Sequence, residues 1–148
     1  MLDDYLEAKK LGDRAYRNAL LFRQSPYLES LDEFLKNEDI QGENRLGTLE
    51  IPVKDIAGTK TKARQQSFAK NFMPILGANT EFASKWASLY DSVQEEGVRE
   101  PILVYEYMYK FYVQEGNKRV SVSRFNGAVS IPATVIRILP KRTEEKEN

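Results

Sequence analysis

The sequence predicts an α+β fold built on a mixed sheet, and three observations carry that expectation. Helix-like and strand-like runs succeed one another as helix, helix, strand, helix, helix, strand, strand, helix, strand, so strands cluster with helices around them. A chain of 148 residues suits one domain and is long enough to bury a core. Its 41% hydrophobic and 30% charged residues are ordinary for a folded cytosolic protein.

The first element is a helix over residues 4–23, where Tyr5, Ala8, Gly12, Ala15, Tyr16 and Ala19 share one face. Small residues on that face admit a second helix at close range. Ser25-Pro26 supplies a start signal, and Leu28, Leu31, Phe34 and Leu35 give a second helix to about residue 37. Residues 1–45 are thus expected to form a helical hairpin, closed by a polar linker over 38–45.

Leu49 to Val53 reads as an edge strand because Pro52 removes a ladder donor. Gly58 to Arg64 reads as a polar loop, followed by a helix over 63–72. Asn79 or Thr80 caps a helix over 80–95, with Phe82, Trp86, Leu89, Tyr90 and Val93 as its apolar stripe and Gly97 as its stop. Ile102 to Met108 and Phe111 to Val113 form a hairpin turning near Tyr109-Lys110. A short helix runs from Gly116 to Gly127, and Ile131 to Ile138 is the last strand. The tail over 141–148 is wholly polar and reads either as a disordered end or as the start of a linker.

Composition removes whole classes of chemistry. Cysteine and histidine are both absent, which excludes thiol catalysis, disulfides, histidine general bases and the usual zinc sites. No metal-ligating cluster is expected. Lys+Arg and Asp+Glu balance at 22 each, so any basic site must be local. No apolar run approaches the roughly 20 residues that a bilayer needs. Met1-Leu2-Asp3-Asp4 is no signal peptide, so a cytoplasmic protein is expected.

The most specific local signal is Glu115-Gly116-Asn117-Lys118-Arg119. A glycine at a strand–helix junction lets backbone approach a ligand closely, and the next amides point out of a helix N-terminus that favours an anion. Lys118 and Arg119 oppose the helix dipole unless an anion sits there. A phosphate is the obvious one. Thr59, Lys60, Thr61 and Arg64 are candidates for a second wall, although Gly58 to Arg64 is not a P-loop.

The stretch from Trp86 to Ile138 resembles the N-terminal domain of ParB-type partition proteins, the ParB-like nuclease domain family, whose fold is shared with sulfiredoxin. The landmarks are Gly97-Val98-Arg99-Glu100-Pro101-Ile102, then Phe111-Tyr112-Val113, then Gly116-Asn117-Lys118-Arg119, with Gly127 and Ile131-Pro132-Ala133 after them. The resemblance implies a ParB/sulfiredoxin-like mixed sheet over about 46–140, with the hairpin of 1–45 outside it. It also implies a bacterial nucleotide-binding domain, taking CTP as ParB does or ATP as sulfiredoxin does. Gly116, Asn117, Lys118 and Arg119 would surround the phosphates, faced by Gly97, Arg99 and Pro101.

On that reading the domain is regulatory, with slow nucleotide hydrolysis as an accompanying activity. A small-molecule kinase of the free-serine type is the alternative, with Glu115 and Lys118 catalytic and Mg2+ bridging the phosphates. A nucleic-acid-binding or nuclease-associated module is the third reading. ParB's DNA-reading domain would follow Pro140, where this sequence has only the charged tail, so specific DNA binding has no evident carrier. A downstream domain in a longer protein would suit that tail. The chain departs from the ParB pattern at Asn117, Lys118 and Ser121, where arginines or glutamate are usual. Without cysteine, sulfiredoxin activity is excluded.

Overall fold

The computed structural model describes residues 2–141, except for the side chains of Ala63 and Arg64. Residues 142–148 of the charged tail therefore lie outside the described residues. The elements are α1 (Leu2–Leu21), β1 (Glu29–Ser30), α2 (Leu31–Leu35), β2 (Ile40–Pro52), β3 (Ile56–Thr59), α3 (Glu81–Glu96), β4 (Ile102–Tyr107), β5 (Lys110–Glu115), α4 (Asn117–Phe125) and β6 (Ser130–Pro140). Six strands form one mixed sheet in the order β1-β3-β5-β4-β6-β2. β3 and β5 are parallel, as are β4 and β6, while β4–β5 and β2–β6 are antiparallel.

Alternation along the strands divides the core. Ile102, Val104, Phe111 and Val113 join Val120 of α4 beneath the helices, while Tyr105, Tyr107 and Tyr112 meet Leu31 and Leu35 of α2 elsewhere. Tyr105 and Tyr112 are cross-strand partners, and Phe34 meets Tyr112 edge-on at 6.1 Å. These aromatics are packing pairs. The helical core gathers Tyr5 and Ala8 of α1 with Trp86 of α3 and Val122 of α4. The expected small-residue face of α1 is the one it buries, through Tyr5, Ala8, Gly12 and Ala19.

The helix over 80–95 forms as expected. Thr80 caps it by accepting from the Ala83 amide at 3.1 Å, and Gly97 ends it at φ 73°.

Three local expectations are corrected. The second arm of the N-terminal hairpin is only the five residues of α2. Tyr27 bridges to Ala69, and Glu29–Ser30 pairs in parallel with Gly58–Thr59. A β-carbon at Gly58 would lie 2.2 Å from the Glu29 carbonyl oxygen, so the missing side chain admits this pairing. Sheet pairing overrides the local cap signal of Ser25-Pro26.

Residues 40–45 are strand, not linker, and a boundary after residue 45 falls inside β2. Their polarity reflects a ribbon whose residues are mostly exposed, and β6 supplies the hydrogen-bonding partner along its length. Thr48 and Thr134 share a hydrogen bond of 3.0 Å across that ladder.

The helix expected over 63–72 is a 3₁₀ turn, Lys62–Ser67, after which Phe68 is extended. Phe68 and Phe72 are both buried, with Phe72 at φ 65°. The Asn71 side chain accepts from the Met73 amide, and the Ala69 amide donates to the Met73 carbonyl at 2.9 Å. A tight turn seats both rings where a continuous helix would not.

Candidate functional site

The junction at Gly116 is the centre of the candidate site. Its φ of 111° lies in the region open to glycine, and α4 starts there without a side-chain cap. A β-carbon would sit 2.4 Å from Ile102 Cγ2, so the glycine also lets α4 press onto β4. The Val120 amide already bonds to the Gly116 carbonyl at 3.0 Å. The amides of Asn117, Lys118 and Arg119 precede the first intrahelical bond and have no acceptor within the helix.

That helix start borders a cleft of ≈ 420 Å³ lined by Gln114 to Arg119 on one side and by Phe68, Phe82, Lys85 and Leu89 on the other. Three cations, Lys85, Lys118 and Arg119, face one carboxylate, Glu115. Lys118 Nζ lies 5.3 Å from the centre of the Phe82 ring. Lys85 pairs with Glu81 at 3.0 Å. The hydrogen bond from Lys85, and then the charges of Lys85 and Lys118, hold the Glu81 carboxyl below its ordinary value. With Glu81 counted beside Glu115, the three cations stand against two carboxylates, an excess of one positive charge in a chain that is neutral overall.

Arg119 has a second attachment. Its Nη1 donates to the carbonyl oxygens of Glu100 at 2.6 Å and Pro101 at 3.1 Å. It therefore ties the start of α4 to the segment entering β4. Pro101 reaches the site through that carbonyl alone. Gly97 and Arg99 do not line the cleft: Gly97 lies beside Ser123 and Asn126, toward the other end of α4, and Arg99 is exposed next to Glu96 at 3.6 Å.

Asn117 is buried below the helix start. Its Nδ2 donates to Thr59 Oγ1 at 3.4 Å, a long bond, and Thr59 Oγ1 donates to the Val113 carbonyl at 3.0 Å. Asn117 Oδ1 has no hydrogen-bond partner among the described residues. Thr59 is thus a buried strut between β3, β5 and α4. Lys60 turns elsewhere, pairing with Asp32 and lying 4.9 Å from the Tyr105 ring centre. Thr61 precedes the 3₁₀ turn and caps it with no side-chain bond. The side chain of Arg64 lies outside the described residues. Among the described residues, the facing wall of the cleft is Phe68 with Phe82, Lys85 and Leu89 of α3, and Thr59, Lys60 and Thr61 do not line it.

Lys85 was missed in the sequence. The available signal was its spacing, since Phe82, Lys85 and Leu89 fall on one helical face and place a cation inside an apolar stripe. Ser121 is fully buried and accepts from Trp86 Nε1 at 2.8 Å. Position 121 therefore faces α3, away from any ligand at the helix start.

No protein-family model and no curated protein sequence matches the chain. Among solved structures it is similar to sulfiredoxin from Arabidopsis thaliana, with a TM-score of 0.42, 21% identity and coverage of 68% of this chain and 91% of that one. It is also similar to the C-terminally truncated chromosome-partitioning protein ParB from Caulobacter crescentus complexed with CTP-gamma-S, with a TM-score of 0.43 and 17% identity. That match covers 68% of this chain and 47% of the ParB chain. The likeness to each is one of fold. Among the described residues, no helix is long and apolar enough to cross a membrane.

Proposed function

We propose that the cleft at Gly116 binds the phosphate groups of a nucleotide or another phosphorylated small ligand, and that the domain is regulatory. One observation carries this reading: an uncapped helix start whose first amides sit in a cleft with Lys85, Lys118 and Arg119. Phe82 and Leu89 offer an apolar side on which a base or acyl group can rest. Arg119 couples the site to its surroundings. An anion that draws its guanidinium inward competes with the Glu100 and Pro101 carbonyls, and so alters the segment before β4.

Lys118 serves as a point charge where ParB proteins usually carry an arginine fork, so clamping of a triphosphate is less geometric here. Glu115 is the carboxylate lining the cleft. No cluster of three acidic side chains stands among the described residues. A magnesium ion would therefore be held chiefly by the nucleotide's own oxygens. Glu115 beside Lys118 also favours a second reading, phosphoryl transfer to a small hydroxyl acceptor, with Glu115 taking the acceptor's proton.

Calorimetry with CTP, ATP, ADP and GTP, with and without magnesium, tests the first reading. Binding that weakens in Lys118→Gln supports it. Absence of binding to all four at millimolar concentration overturns it. Nucleotide consumption that needs a hydroxyl acceptor and disappears in Glu115→Gln would select the second.

A further inference from the structure

We propose that a second cavity, at the opposite end of α4, binds a small apolar carboxylate through Arg124 and Lys54. The cavity measures ≈ 630 Å³, a size typical of small-molecule sites. Leu11, Val53, Met73, Phe125 and Val129 make most of its wall apolar. Among the described residues its charged lining is all of one sign, Lys54 and Arg124, with no acidic residue. The phosphate cleft is bordered by residues 114–119 and this cavity by residues 124–129, so the two sites share no residue.

Arg124 is the informative group. Its Nη2 donates to the carbonyls of Val53 at 3.1 Å and Ile56 at 2.8 Å, and its guanidinium lies 5.2 Å from the Phe72 ring centre. Those bonds explain Nη2 as a strut for the turn before β3. They leave Nε buried and without a hydrogen-bond partner among the described residues. Neither Arg124 nor Lys54 has a carboxylate partner among the described residues. Burial pushes the guanidinium below its ordinary value, the sign of a cation that has lost water without gaining a counter-ion.

A half-buried cation held only by carbonyls and a ring face is incompletely compensated. A carboxylate would complete it with charge-assisted hydrogen bonds, while its hydrocarbon body covers the apolar wall. A triphosphate satisfies the charge but wastes the wall. An uncharged hydrocarbon does the reverse. The monocarboxylate is the class that satisfies both.

The test uses the full chain and sodium octanoate below its micelle concentration, with 1-octanol and octylamine as charge controls. Octanoate is expected to shift the amides of Val53, Lys54 and residues 124–129 and to bind about tenfold tighter than octanol, the worth of one charge-assisted hydrogen bond. Lys54→Gln, at an exposed position, should weaken octanoate and leave octanol unchanged. Arg124→Gln should do the same more strongly, and if it does not fold Lys54→Gln decides alone. Shifts confined to residues 116–119, equal affinity for octanol or octylamine, or an unchanged octanoate affinity in Lys54→Gln would each overturn the proposal. Failure of nucleotides to bind leaves these outcomes unaffected, because the probe and the residues differ.

Discussion

The indole Nε1 of Trp86 donates to Ser121 Oγ at 2.8 Å, and neither residue has exposed surface. This bond fixes α4 against α3 and so sets the width of the cleft between them. An arginine at position 121 would be driven into the helical core. Ser121→Ala should cost about 1–3 kcal/mol by leaving the indole N–H unsatisfied. Ser121→Arg should cost more, since it buries a charge without a partner. Denaturant midpoints check both, and an unchanged midpoint in Ser121→Arg would show that the helices are not packed this way.

Lys118 and Arg119 should separate in their effects. Lys118→Gln removes a cleft cation and should weaken nucleotide binding about tenfold. Arg119→Ala removes a cation and the tie to Glu100 and Pro101. It should lower both nucleotide affinity and stability, the latter by about 1–2 kcal/mol. Calorimetry and thermal melts on the two variants check the split. Equal stability losses would contradict it.

Alkaline pH should destabilise the fold through tyrosine. The Tyr5 hydroxyl donates to the Leu76 carbonyl at 2.6 Å. Burial, and then the Asp13 carboxylate, push its pKa well above the ordinary value. Tyr112 is raised in the same direction, by burial first and then by Glu29 and Tyr107. A pKa raised on folding gives a contribution that is complete below the unfolded value near 10 and fades as pH rises toward the folded value. Stability should therefore decline above about pH 10. The decline should be shallower in Tyr5→Phe, compared by denaturant titration. Parallel profiles for the two proteins would contradict the assignment.

The β4–β5 turn carries avoidable strain. Met108 and Tyr109 have φ of 50° and 69°, and both are exposed. A two-residue hairpin turn of this handedness favours Asn-Gly. Replacing Met108-Tyr109 by Asn-Gly should raise stability by about 1–2 kcal/mol, since little packing is lost. A lowered melting temperature would mean that the exposed pair makes contacts that stabilise the turn.

Much of the framework is legible in the sequence because its signals are local. The stripe around Trp86, the stop at Gly97 and the start at Gly116 depend on residues within one or two turns. β2 could not be read this way. Its residues over 40–45 look like a linker because their partners lie nearly a hundred positions away in β6. Phe68 and Phe72 likewise have helical spacing, yet both rings enter the core through a turn built by Asn71. For the site, the Gly116–Arg119 run was visible and its facing wall was not. Lys85 becomes a cleft residue only once α3 lies across α4, and the bond between Trp86 and Ser121 that holds it there links positions 35 apart.

The most direct measurement is an amide chemical-shift titration of the labelled protein with CTP and with ATP, carried to millimolar concentration. The expected result is that the largest, saturating shifts fall at residues 116–119, with smaller ones at Lys85 and at Glu100 and Ile102 through Arg119. Saturating shifts centred elsewhere, or none at residues 116–119 with either nucleotide, would contradict phosphate binding at the start of α4.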